Sequence, residues 1–104
     1  MADQNWVSDV TGAGRSALHG VMIGGPATDR WLASCFRGLG SSPHGTLHQQ
    51  DGTVIDDVVL VAWPGEASRY LITSHGSPIV RDQIVDRFVQ LGAEVIDQNL
   101  NQNL

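Results

Sequence analysis

The chain has 104 residues, the length of a single domain, and 41% of them are hydrophobic, which is typical of a globular protein and argues against disorder. Its 6 basic residues are all arginines and are scattered along the chain, and its 11 acidic residues give a net charge of −5. No basic run is therefore available to bind a nucleic-acid backbone. No apolar run approaches the length of about 18 residues that a membrane-spanning helix needs.

The cysteine count and the first residues bear on the compartment. Cys35 is the single cysteine and cannot form a disulfide within the chain. Residues 1–5 lack the basic and apolar regions of a signal peptide. We therefore expect a reducing compartment, the cytoplasm.

The first third of the chain predicts two strands and a helix. Residues 6–10 alternate weakly, Thr11–Gly14 forms a turn, and Ser16–Ile23 is an apolar run typical of a buried strand. A helix begins at Pro26, which is tolerated at the first helical position, and ends before Gly38, which suits the left-handed position after a helix. Its buried stripe consists of apolar residues one turn apart, namely Ala27, Trp31, Leu32, Cys35 and Phe36.

The middle of the chain predicts a hairpin. Asp51–Gly52 is a strong signal for a two-residue turn between strands at 44–49 and 53–63. The second of these strands is apolar on both faces in its second half, from Val58, which indicates a central place in the sheet. Residues 69–74 form another strand.

A second helix is predicted at Pro78–Leu91, followed by a short strand at 93–96. Ser77 suits the N-cap of this helix, and Gly92 suits its end. Its buried stripe contains Val80, Ile84, Phe88 and Leu91. The side expected to face water contains Arg81, Asp82, Asp86, Arg87 and Gln90.

Together these elements predict an α+β fold, a mixed β-sheet of five to six strands with two main helices packed on one face. The predicted domain spans residues 1–97. The polar tail, residues 98–104, is expected to be frayed, or alternatively to dock Leu100 and Leu104 on a partner.

Few residues form a pattern typical of catalysis or metal binding. His44 and His48 lie too far apart along a strand to share an ion, so we expect surface histidines and no metal. Asp56 and Asp57 are adjacent on a strand and face opposite sides, so they cannot act as a carboxylate pair. Cys35 lies on the apolar side of its helix, where a thiol is inert. We expect no catalytic residues.

Two turns hold candidate ligand-binding residues. Gly12–Arg15 lacks the lysine and the longer glycine pattern of a phosphate loop, which favours a plain tight turn. At His75–Ser77 a strand ends and a helix starts, and the backbone N–H groups of a helix start favour an anion or a polar heterocycle. Alternatively, Gly76 and Pro78 only shape this turn.

The order and spacing of several short motifs resemble the N-terminal domain of the tRNA-modification GTPase family TrmE, also called MnmE. That family typically has Thr-Pro-Pro-Gly-Arg where this chain has Thr11–Arg15, and Ile-Arg-Val-Ser-Gly-Pro where it has Val21–Pro26. The family's His-Gly-Gly-Pro resembles His75–Pro78. The other matching segments are His44–Leu47, Asp51–Val58, Trp63–Pro64 and Leu91–Ala93.

The resemblance implies a fold similar to the folate domain of the glycine-cleavage T-protein, a homodimer, and binding of 5-formyltetrahydrofolate as the one-carbon donor for wobble-uridine modification in tRNA. The ligand-binding residues that it implies, with the helix start, are Arg15, Met22, Leu71, His75, Gly76 and Ser77.

Two departures from the family pattern bear on the folate. Met22 stands where the family has a folate-contacting arginine, and Leu71 stands where it has a folate-contacting glutamate. A hydrogen bond to a charged group contributes about 1.5–3 kcal/mol. The loop between Pro64 and Tyr70 is also about five residues shorter than in the family, a change in length that a surface loop tolerates. Loss of both polar contacts is expected to weaken folate binding severely.

Three functional hypotheses follow. The first is a non-catalytic module that forms a homodimer or binds another protein, linked by resemblance to tRNA modification. The second is a module that still binds a reduced folate. The third is one-carbon transfer assisted by His75 or His19, for which no base–nucleophile pair is visible.

Overall fold

The computed structural model describes residues 4–10, 19–40, 42–65, 68–75 and 77–96. Within them the chain forms seven strands and two helices. In chain order these are β1 (Trp6–Asp9), β2 (His19–Gly24), α1 (Thr28–Cys35), β3 (Phe36–Gly38), β4 (His44–His48), β5 (Val54–Ala62), β6 (Arg69–Ser74), α2 (Pro78–Leu91) and β7 (Glu94–Val95).

The strands form one mixed sheet in the order β3-β4-β5-β6-β2-β1-β7. Neighbouring strands are antiparallel except β1 and β7, which are parallel. The predicted α+β fold is confirmed, and the predicted count of five to six strands is slightly low. The additional strand is β3, whose first residue, Phe36, belongs to the predicted buried stripe of the first helix.

One face of the sheet carries the core. The register pairs Val7 with Ile23 and Val21 with Ile72, so these buried side chains share a face. Both helices pack on that face, and the Trp31 ring of α1 lies 6.2 Å from the Phe88 ring of α2. Neither described helix is long and apolar enough to cross a membrane.

The ends of α2 are as predicted. The Ser77 side chain accepts a hydrogen bond from the backbone N–H of Val80, and Pro78 opens the helix. Gly92 follows the helix in the left-handed conformation, with φ of 117°, which residues with a side chain rarely adopt.

Arg87 of α2 was expected to face water, and this prediction is wrong. Its side chain is 6% exposed, and Nε donates a hydrogen bond of 2.9 Å to the carbonyl oxygen of His48. His48 itself is buried rather than a surface histidine; its ring contacts Thr46 Oγ1 and the carbonyl oxygen of Gly52. Arg87 therefore ties α2 to the end of β4, a role that helical spacing alone does not reveal.

The limits of α1 also differ from the prediction. The helix begins at Thr28 rather than Pro26, since the Ala27 N–H donates to Asn5 Oδ1 and the Thr28 hydroxyl donates to the Gly25 carbonyl. It ends at Cys35 because the chain turns extended at Phe36 to enter β3. Gly38 lies inside β3 and has no left-handed conformation, so it does not end the helix.

The hairpin lies where Asp51–Gly52 predicts it, with a longer connection than two residues. Gln49 N–H donates to the Thr53 carbonyl, and Gly52 N–H donates to the Gln49 carbonyl, which leaves a three-residue loop. Within this loop Gly52 alone has a positive φ, as in a type I turn followed by a left-handed residue. The bonds from Thr53 to the Asp51 carboxylate lower the pKa of Asp51.

Two paired glycines at the β3 edge of the sheet differ in how tightly they are packed. Gly45 and Gly38 are cross-strand partners, but a Cβ on Gly45 would lie 2.5 Å from the Arg37 carbonyl oxygen, whereas a Cβ on Gly38 would meet nothing nearer than 3.7 Å. We expect Gly45→Ala to lower the free energy of unfolding by about 1–3 kcal/mol because the backbone must shift. Gly38→Ala is the matched control, with an expected change within about 0.5 kcal/mol. Urea denaturation measures both, and equal effects would contradict the packing.

Candidate functional site

The second face of the sheet is not covered by either described helix. Val61 and Trp63 on this face are 42% and 44% exposed. We call this surface the open face. By the strand register it carries Trp6, Met22, Val59, Val61, Trp63, Arg69 and Leu71.

The open face bears on the expectation for β5. The strand does lie inside the sheet, between β4 and β6. Val58 points to the core and is buried, while Val59 is partly buried and Val61 is exposed on the other side. Apolar residues at consecutive positions therefore reflect an apolar surface that neither described helix covers, and not full burial on both faces.

One end of the open face is aromatic. Trp6 lies opposite Gly24, whose missing side chain makes room for the indole ring, because a Cβ there would lie 2.5 Å from Cε2 of the ring. The Arg69 guanidinium stands 5.7 Å from the centre of the same ring, as in a cation–π contact. The backbone N–H of Trp63 donates to the Arg69 carbonyl, so a second tryptophan lies at this end.

The middle of the open face is aliphatic. Met22 and Leu71, both proposed from the sequence as ligand-binding positions, are direct partners in the β2–β6 ladder. Both are half-buried, and Val61 pairs with Leu71 from the other side. The two positions are thus brought together, as an apolar pair without a charged group.

The opposite end of the open face combines polar side chains with apolar ones and contains a cavity of about 240 Å³. We call it the His75 pocket. Continuing the β5–β6 register by one residue places His75 opposite Asp57. The residues that give the pocket its chemistry are Leu39, His44, Asp57, Val59, Thr73 and His75.

The polar side chains of the pocket are only partly engaged with the protein. The Ser42 hydroxyl accepts from the His44 backbone N–H and lies 2.8 Å from His44 Nδ1, so its proton can be donated to that nitrogen. This leaves Nε2 of His44 as the donor in the neutral ring. Asp57 makes no ion pair with any described residue.

The remaining predicted ligand residues lie elsewhere. Ser77 caps α2 through its side chain. Arg15 and Gly76 lie outside the described residues, as does the predicted tail at 98–104. Of the predicted polar ligand residues that the structure describes, His75 lines this cavity and Ser77 does not.

Sequence reasoning missed His44, Asp57 and Thr73 as pocket residues. Asp57 and Asp56 do point to opposite faces, as predicted, since Asp57 pairs with Thr46 and Asp56 pairs with buried Leu47. The alternation shows that Asp57 leaves the core side, but only the pairing of β4, β5 and β6 brings it beside the two histidines. Among the residues that the structure describes, no group of three or more His, Cys, Asp or Glu side chains is arranged to hold a metal ion.

Cys35 has the environment of an inert thiol. It is 1% exposed, and burial raises its pKa to about 11, although the nearby Arg87 acts in the opposite direction. The thiolate, which is the nucleophilic form, is therefore scarce near neutral pH.

Comparison with known proteins connects this geometry to a family. Over 94 residues the chain is 32% identical to the tRNA modification GTPase MnmE of Stutzerimonas stutzeri strain A1501. The match covers 82% of the chain. The chain is an MnmE-like domain. The predicted resemblance is confirmed, and the extent of the match is consistent with the N-terminal domain.

The match covers only 20% of the length of that MnmE protein. No protein-family model matches the chain. The MnmE-like domain is therefore similar to a small part of a longer GTPase.

The raised pKa of Cys35 predicts a pH dependence of stability. The folded pKa of about 11 exceeds the model-compound value of 9.0, so the stabilisation is complete below pH 9.0 and is lost as pH rises through 11. Between about pH 8 and about pH 10.5, the free energy of unfolding should fall by about 2 kcal/mol more in the wild type than in Cys35→Ala. Urea denaturation at the two pH values measures this, and an identical fall in both proteins would contradict it.

Proposed function

We propose that the chain is a non-catalytic MnmE-like module that self-associates through the open face and works in tRNA wobble-uridine modification. The observation that carries the proposal is the apolar open face on a domain that is 32% identical to part of an MnmE GTPase. Alternatively, the open face binds another protein instead of a second copy of the chain.

The composition of the open face supports a protein contact. Val61 and Trp63 are exposed large hydrophobic residues, and Met22 and Leu71 continue the same surface across β6 and β2. Tryptophan and arginine are enriched at the energetically important points of protein interfaces, which suits the Trp6–Arg69 contact. No nucleic-acid contact is proposed, because the net charge is −5.

The test of self-association is sedimentation velocity over a range of concentrations. We expect the wild type to form a dimer at about 100 μM, the regime of a micromolar complex. Val61→Glu should be monomeric, because a charge in the open face must be desolvated on association. Val54→Glu is the matched control, since Val54 is 56% exposed on the same strand but lies at the hairpin end.

Two outcomes would contradict this proposal. If the wild type stays monomeric at high concentration, the chain does not self-associate and the proposal is wrong. A dimer that persists in Val61→Glu but is lost in Val54→Glu uses a different surface. Thermal unfolding of both variants separates an interface effect from loss of the fold.

A second candidate function is binding of a reduced folate, 5-formyltetrahydrofolate. The observation that favours it is the His75 pocket, which continues from the Met22–Leu71 pair along the open face. Its cavity of about 240 Å³ has room for one ring system rather than the whole ligand. The apolar Met22 and Leu71 weaken the case, since neither offers a hydrogen bond to a pterin.

Titration with 5-formyltetrahydrofolate, followed by amide NMR shifts, tests the second candidate. If folate binds, saturable shifts should appear at Met22, Leu71 and His75, and His75→Ala should weaken binding by about tenfold through loss of one hydrogen bond. Gln83→Ala, on the exposed side of α2, is the control and should bind like the wild type. An absence of shifts at millimolar folate would remove this candidate and leave the first one intact.

A further inference from the structure

We propose that two copies of the chain stack their open faces head to tail, so that Trp63 and Arg69 of each copy meet the His75 pocket and Asp57 of the other. The proposal rests on the proposed self-association, and it adds the orientation of the two copies and the contacts that fix this orientation. It follows from the different chemistry of the two ends of the open face.

The two ends of the open face carry opposite charges. Arg69 is exposed beside the Trp6 ring at one end, and Asp57 is exposed at the other end. Neither side chain forms an ion pair with any described residue. The ladder between β5 and β6 continues to the Trp63–Arg69 pair, and Trp63 lies six residues along the chain from Asp57, so the two charges are roughly 20 Å apart.

This separation of charge selects one orientation of two identical copies. In a twofold interface each contact occurs twice, because residue i meets residue j and j meets i. If like ends met, arginine would face arginine at one end and aspartate would face aspartate at the other, and like charges in contact oppose association. Head to tail, the same two faces form two Arg69–Asp57 pairs.

The middle of the open face suits this orientation. Two sheets that pack face to face keep their strands aligned within about 30°, so a twofold axis that runs across the strands, midway between the two charges, is compatible with the packing. This axis passes between the Val61–Leu71 row and the Val59–Thr73 row of the ladder. The first row of each copy then packs on the second row of the other, and three of these four side chains are aliphatic.

The His75 pocket gives the exposed Trp63 side chain a place to pack. Trp63 is 44% exposed, and head-to-tail stacking brings it over β5 of the second copy at the level of Asp57, which lines the pocket with Val59 and His75. The cavity of about 240 Å³ has room for one ring system. Tryptophan side chains that fill a pocket of the partner are typical of the residues that dominate interface energies.

A second arginine, Arg37, also lies toward the Asp57 end of the open face. By register it is separated from Asp57 by Thr46, so it lies two strand spacings, roughly 9–10 Å, away at the edge of the sheet. Its charge is exposed to solvent and therefore screened. Arg37 does not cancel the charge that Asp57 presents to a second copy.

Charge reversal followed by mixing tests the orientation, with sedimentation velocity at about 100 μM as the measurement. Arg69→Glu and Asp57→Arg should each weaken the dimer by about a hundredfold, about tenfold for each of the two like-charge contacts. An equimolar mixture of the two variants should dimerise like the wild type. In the mixed dimer, each of the two contacts again joins opposite charges.

Matched controls make the same charge changes away from the open face. Arg30→Glu on α1 and Asp86→Arg on α2 alter the net charge by the same amounts, and both residues are exposed. These variants should dimerise as the wild type does. Thermal unfolding of all four variants confirms that the fold is intact. If Arg69→Glu does not fold, Arg69→Gln takes its place in the mixture and should restore the dimer in part.

The outcomes separate this proposal from the proposed function. A wild type that is monomeric at high concentration overturns both. If the wild type dimerises but the two charge reversals leave the dimer unchanged, or if their mixture stays monomeric, the head-to-tail orientation is wrong and self-association stands. Recovery of the dimer in the mixture of two variants that are monomeric alone supports the orientation.

Discussion

The antiparallel ladder between β2 and β6 is the constraint on which the rest of the domain depends. Six consecutive residue pairs join His19–Gly24 to Arg69–Ser74. This ladder aligns Val21 and Ile72 under the helices, and it aligns Met22 and Leu71 on the open face. Because side chains alternate strictly, a slip of one residue would exchange the two faces and expose the core.

The same register divides the open face into regions of different chemistry. Toward one end Trp6 receives the Arg69 guanidinium, and toward the other end Asp57 and the two histidines line a cavity. The aliphatic Met22–Leu71 pair lies between them. A protein contact suits the aromatic and aliphatic part, and a small ligand suits the end that holds the cavity, so the two candidate functions use adjoining surfaces.

Met22 and Leu71 stand on the side of the β2–β6 ladder that faces away from the helices. Their apolar side chains are compatible with the pleat and the strand pairing, so the fold does not depend on a polar group at either position. An apolar surface of this kind suits a protein partner better than a charged ligand.

Local signals determined a large part of this structure. The caps of α2 at Ser77 and Gly92, the hairpin at Asp51–Gly52 and the opposite directions of Asp56 and Asp57 follow from short-range geometry, and the structure agrees with them in place. Tertiary contacts decided the rest. The Asn5 side chain sets the start of α1, the carbonyl of His48 brings Arg87 into the core, and the pairing of three strands assembles the His75 pocket. These contacts join residues that are far apart in the chain, and neither periodicity nor capping rules carry information about which distant partner a side chain will meet.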